Sequence, residues 1–260
     1  MTKHIRNLLT CMTIAIAVML LSLPVSAKTT AADKAKKAYD KMLKQSRIYL
    51  VPKKTIFGNE DLSSVPASEL KKRFGDSLLQ ETMERDEMAA VLQYSRPSDL
   101  VFSLAYIDND NIPELIVQRP EKNYCACAWV YTFKDGKAVP VSFTKRRRVY
   151  GAMNSITGYY KKKGVFCNRF INGGEDSADS TDYLTLKKGK VNDLSISEDE
   201  NGNYYVSSME KNDEGESYVV GNPTTKADFR KRLKKLTGGG KMTKITYRAN
   251  TAANRKKYLK

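Results

Sequence analysis

Apolar residues recur at helical spacing near the start of the chain. Between residues 30 and 46 they fall at Ala31, Ala35, Ala38, Tyr39, Met42 and Leu43, with Lys and Asp on the opposite face. That period predicts an amphipathic helix packed on the rest of the domain. Leu70, Leu78, Leu79, Met83, Met88, Val91 and Leu92 predict a second helical region over residues 67–94, broken near Phe74-Gly75-Asp76. Arg96-Pro97 ends it, because proline disfavours helix in the residue before it. From Leu100 the pattern changes to short β-rich runs at residues 102–107, 114–118, 129–133, 138–143, 184–186, 191–196 and 204–206. Asp135-Gly136, Lys163-Gly164, Lys188-Gly189 and Asn201-Gly202 lie between runs, which predicts successive hairpins in an antiparallel meander. Thr225 and Asp228 form a capping-box-like start for a last helix, whose stripe is Phe229, Leu233 and Leu236 and whose stop is Gly238-Gly239-Gly240. Residues 242–247 read as a strand and 251–260 as a short basic helix.

These elements imply an α+β fold: N-terminal helices packed on an antiparallel β-meander, with a C-terminal helix and final strand. The helical part is residues 28–99 and the β-rich part with its C-terminal helix is 100–260, together one domain over 28–260, long enough to bury a real core. Hairpins 131–138 and 183–191 superpose on their glycines, which predicts two similar hairpins in a single sheet.

Residues 1–27 stand apart. Lys3, His4 and Arg6 precede an apolar stretch over 8–21, and Leu23-Pro24-Val25-Ser26-Ala27 follows it. This is the layout of a cleavable secretory signal peptide, so the protein is expected to be secreted, extracellular or cell-wall-associated. No later apolar run approaches membrane-spanning length, so no transmembrane segment remains after signal removal. The only histidine, His4, leaves with the leader, which excludes Ser-His-Asp and Cys-His catalysis and histidine-ligated zinc from the mature chain. The formal net charge is +16, and Lys3 and Arg6 are the only basic residues lost with the leader. A balance this basic favours polyanions. For an exported protein those are anionic cell-envelope polymers or glycans rather than specific nucleic acid, since no aromatic interleaving surrounds the densest cluster, Lys145-Arg146-Arg147-Arg148.

The pattern that carries the most chemistry is residues 102–117, in which Asp108, Asp110 and Glu114 sit in a polar loop between two β-runs. Calcium is a hard cation that takes several oxygen ligands, and closely spaced carboxylates supply them. The segment resembles the Asp-rich loop of integrin-like FG-GAP repeats, a likeness that implies calcium as cofactor and Asp108, Asp110 and Glu114 as metal residues. Tyr106 stands where that family has its first Asp, and Asn111 where it usually has Gly. An Asp/Asn turn that only fixes a hairpin is the simpler reading. More broadly, the chain resembles exported proteins of clostridial gut bacteria, a likeness that implies a Gram-positive source and brings no activity with it.

Catalytic residues are not assigned. Glu81, Glu84 and Glu87 recur at helical spacing as a solvated face. Cys125, Cys127 and Cys167 permit one disulfide or three buried thiols. Trp129 with Tyr124, Tyr131, Tyr159 and Tyr160 reads either as a sugar-binding platform or, more simply, as strand core. The function expected is therefore a non-catalytic, secreted or wall-associated binding protein for an anionic ligand. The alternatives are an exported glycan hydrolase using paired carboxylates and a structural calcium-binding module.

Overall fold

Ala35, Tyr39 and Leu43 are fully buried on helix α1 (Ala31–Leu43), and burial of this stripe is what stabilises a helix otherwise rich in lysine. The structure is a computed structural model that describes residues 29–45, 48–49, 94–120, 127–144, 151–152, 155–170, 179–192, 194–211 and 217–260. The expected leader, Cys125, Lys145 to Arg148 and nearly all of the second helical region lie outside the described residues. Tyr94, the expected end of that helical region, belongs instead to a two-residue strand, β2 (Tyr94–Ser95), paired with β1 (Ile48–Tyr49). Among the described residues no helix is long and apolar enough to cross a membrane.

The fold is α+β, with an N-terminal helix, extensive antiparallel sheet and C-terminal helices and strands. The strands that follow are β3 (Val101–Ala105), β4 (Glu114–Arg119), β5 (Cys127–Lys134), β6 (Lys137–Pro140), β7 (Ser142–Phe143) and β8 (Gly151–Ala152). Then come β9 (Ser155–Tyr160), β10 (Val165–Phe170), β11 (Ser180–Lys187), β12 (Lys190–Val191), β13 (Ile196–Asp199), β14 (Tyr204–Lys211) and β15 (Ser217–Thr224). Helix α2 (Lys226–Thr237), strands β16 (Met242–Lys244) and β17 (Arg248–Ala249), and helix α3 (Ala252–Tyr258) complete the order. One sheet runs β17-β3-β4-β5-β6, with β8 on β5. The other runs β15-β14-β13-β11-β10-β9-β16, with β12 on β11.

Successive side chains on a strand point to opposite faces, and both faces of these sheets are used. Ala105, Ile116 and Val130 from the first sheet join Ile156, Phe166 and Leu184 from the second in one core cluster between the sheets. On the far side of the second sheet, Val165, Cys167, Tyr183 and Ile196 receive Phe229 of α2. Helix α2 begins at Thr225, whose hydroxyl accepts from the Asp228 amide, and ends at Gly238 with φ 63°, the left-handed stop that glycine adopts at little cost. Helix α1 packs against β5 and β6 of the first sheet.

The look-alike hairpins turn through Asp135-Gly136 (φ 50° and 77°) and Lys188-Gly189 (φ 51° and 70°), the positive pairs that match the twist of antiparallel strands. They nevertheless belong to different sheets, which corrects the single-sheet expectation. Turn chemistry is local, whereas sheet membership depends on where each apolar face is buried. The two hairpins meet through β7, which pairs in parallel with β12, and where Gly189 lies against the Thr132 methyl. Four of the aromatic residues settle as core, Trp129 at 3% exposed, Tyr131 at 2%, and Tyr159 and Tyr160 at 8% each, while Tyr124 lies outside the described residues. Cys167 is a buried free thiol, with its Sγ 3.5 Å from Met242 Sδ. It faces α2 on the second sheet while Cys127 lies in β5 of the first, so the bridge that the sequence permits is absent at Cys167.

Candidate metal centre

The loop between β3 and β4 is anchored before any ion is considered. The Ile107 amide donates to Glu114 Oε2 at 2.9 Å, the Asp110 amide to Asp108 Oδ1 at 3.1 Å and the Ile112 amide to Asp110 Oδ1 at 2.7 Å. Each carboxylate thereby loses freedom while keeping its second oxygen. The last two bonds are the side-chain to backbone turns that Asp readily forms. Asn111 takes φ 64°, a left-handed conformation that Asn tolerates better than other non-glycine residues. The departure from glycine at this position is thus conformationally compatible with the loop. Asn111→Ala should lower stability by about 1 kcal/mol, and Asn111→Gly by less, a ranking that urea denaturation midpoints would check.

One carboxylate oxygen each from Asp108, Asp110 and Glu114 lies within 4.8 Å of the others. Calcium–oxygen distances run about 2.3–2.6 Å, so oxygens on opposite sides of one ion are about 4.6–5.2 Å apart. All three can therefore touch a single ion without moving far. Asp110 is exposed, Asp108 half-buried and Glu114 buried. The loop thus offers an ion one deep ligand and one open flank. The same spacing is shorter than the about 5–5.5 Å between the carboxyl groups of retaining glycosidases. All three acids come from one loop rather than from two walls of a cleft.

Burial pushes the Glu114 carboxyl up to about 8, against the help of the Ile107 amide, and the negative charges of Asp108 and Asp110 add to the rise. Burial also raises Asp108 above the usual carboxylate range. Both shifts express one condition: carboxyl groups are gathered where water is scarce. The nearby ammonium of Lys162 is hydrogen-bonded to Asn111 Oδ1. A divalent cation bound by these carboxylates would offset their negative charge.

Comparison with protein-family models, with curated proteins and with solved structures returns no match. The chemistry of this loop therefore rests on its own geometry.

Two neighbours escape a reading of the sequence. Tyr39 of α1 donates its buried hydroxyl to the Pro113 carbonyl at 2.9 Å, tying the helix to the loop's exit. Burial, then the charges of Glu114, Asp110 and Asp108, raise its pKa. The β9–β10 turn is bound from the other side, with the Lys162 amide donating to the Tyr106 carbonyl at 2.9 Å and the Gly164 amide to the Ile107 carbonyl at 2.7 Å. Tyr39 shows in the sequence only as part of an apolar stripe, its polar tip having no local signal. The turn is found by its Lys-Gly pair, but nothing in its sequence names the loop it holds.

Proposed function

We propose that the protein is an exported, non-catalytic binding module in which Asp108, Asp110 and Glu114 hold a structural divalent cation, calcium by the chemistry of the ligands. The observation that carries this reading is the convergence of three carboxylate oxygens within 4.8 Å around a buried glutamate. Oxygen-only ligands select a hard cation, and a loop fixed by its own amides suits the irregular coordination of calcium better than the strict octahedron of magnesium. The likeness to an integrin-like Asp loop points the same way. The short separation and single-loop origin of the acids weigh against the glycosidase alternative. Export follows from the leader-like pattern of residues 1–27.

Calorimetric titration of the protein with calcium is the direct test. A saturable heat with about one ion per chain, weakened at least about tenfold in Asp110→Asn, supports the reading, since fewer charged ligands mean lower affinity. Absence of saturable heat, or an unchanged isotherm in the variant, overturns it.

A further inference from the structure

The basic charge of the chain is unevenly spread over the described surface. Helix α2 carries six Lys or Arg and one acid, Asp228, in its sequence KADFRKRLKKLT. Asp228 is already engaged, by Arg232 Nε at 2.6 Å. Phe229 and Thr237 are buried, and Leu233 and Leu236 pack on the sheet. The opposite face therefore presents Arg230, Lys231, Lys234 and Lys235 to solvent. Among the described residues none of these four forms a salt bridge, although Lys231 adds its charge to the surroundings of Asp228.

The fold extends this face beyond the helix. Gly238, the helix stop, lies against the β9–β10 turn: a methyl group added to it would come within 3.4 Å of Lys163 Nζ. Lys161, Lys162 and Lys163 are all exposed in that turn. β16 then runs antiparallel to β9, with Met242 opposite Tyr160. Lys241 immediately precedes Met242 and Lys161 immediately follows Tyr160, and both are exposed, as is Lys244 further along. Three elements distant in sequence thus bring exposed lysines into a strip around the Gly238–Lys163 approach and the β9–β16 pairing. Helix α2 alone contributes a length of about 18 Å.

The composition of the strip selects its ligand. Lysine ammonium groups are point charges that bind phosphate without the planar match arginine makes to carboxylates. Base or sugar recognition calls for exposed aromatic rings on which to stack. Here the rings nearest the strip are largely covered: Tyr160 is 8% exposed and Phe229 3%, and the half-buried Tyr204 packs on Phe229 with Lys226 Nζ 5.9 Å above its ring. We infer that the face formed by α2, the β9–β10 turn and β16 binds a linear, ring-free polyanion with phosphate charges along its chain. The inference rests on the reading of the protein as a binding module; because the β9–β10 turn also touches the metal loop through Lys162 and Gly164, the test is placed on α2.

The test uses the protein, inorganic polyphosphate as the probe, low salt and a chelator, so that occupancy of the metal site plays no part. Lys231→Gln, Lys234→Gln and Lys235→Gln are combined in one variant. Lys37→Gln, Lys134→Gln and Lys137→Gln, at exposed positions elsewhere, make a control with the same net charge. The expected result is a loss of about tenfold or more in affinity and a shallower salt dependence for the first variant, with the control within about twofold of the parent. Equal loss in both variants would show that net charge acts without a defined surface, and overturns the inference. Failure of the parent protein to bind polyphosphate overturns it too, as does tighter binding of a single-stranded oligothymidylate, which assigns the strip to nucleic acid. None of these outcomes bears on the calcium isotherm, so the two readings fail separately.

Discussion

Saturating calcium should raise the midpoint of thermal unfolding by about 5–10 °C, and a chelator should reverse the rise. A ligand present at about one hundred times its dissociation constant stabilises the native state by about 2.7 kcal/mol. A chain of this size converts that into a few degrees per kcal/mol. The decisive comparison is Glu114→Gln. An amide oxygen can still accept from the Ile107 amide, which now meets Glu114 Oε2 at 2.9 Å, but the titrating carboxyl is gone. Without calcium the variant should be as stable as the parent or more so at neutral pH, because the native state no longer has to take up a proton there or bury a charge. With calcium the order should invert, since the variant gains little. If calcium leaves the parent midpoint unmoved, the loop is a hairpin turn and no more.

Without calcium, stability should fall as pH rises from about 5 to about 9, the reverse of what a salt-bridged carboxylate produces. Glu114 has its folded value raised from 4.5 to about 8. Between those values the native state holds a proton that the unfolded chain has released, so stability declines with pH in that window. The favourable contribution is complete below the unfolded value and is lost as pH passes the folded one. Each tenfold tightening of the proton's hold on the carboxyl is worth about 1.4 kcal/mol, so the total is of the order of a few kcal/mol for this buried group. Asp108, raised by burial, acts in the same direction. Asp199 and Asp228 are lowered by Asn203 and Arg232 respectively, so their contributions change at acid pH, outside this window. Urea denaturation at pH 5.5 and 8.5 in chelator measures the slope, and Glu114→Gln should flatten it. Calcium should restore the alkaline stability, because the ion binds the deprotonated site.

The parts of the fold legible in the sequence are those set by near neighbours. Ala35, Tyr39 and Leu43 announce α1 by their spacing, and Thr225 with Gly238 marks both ends of α2. Asp135-Gly136 and Lys188-Gly189 announce their turns because few residue pairs accept two successive positive φ angles. β15 is hidden in the sequence, since Asn222 and Pro223 interrupt its pattern. The structure tolerates them because β15 lies at the sheet's edge, where a missing backbone donor costs little. Residues 242–247 have the pattern of one strand, yet the ladder with β9 covers Met242–Lys244, followed by one bond from the Ile245 amide to the Thr157 carbonyl at 2.9 Å. Ile245 and Tyr247 then turn into the core cluster between the sheets, and β17 continues on β3. An alternating pattern reports that side chains are buried in turn, and cannot report that the strand changes sheets midway.

At the candidate metal centre, the three carboxylates are visible in the sequence because they lie within seven residues of one another. The raised pKa of Glu114 is not, because it depends on α1 and on two sheets closing over the loop. Tyr39 and the β9–β10 turn reach the loop only through the tertiary fold.

The segment that passes from β16 to β17 has a consequence for the order of assembly. It stitches the margins of both sheets, and Asn250 just beyond it donates to the Leu43 carbonyl at 3.0 Å, locking α1 from more than two hundred residues away. Contacts so distant in sequence are slow to form. The clasp is also synthesised after every strand it joins, so in a growing chain its contacts are among the last to form between the two sheets.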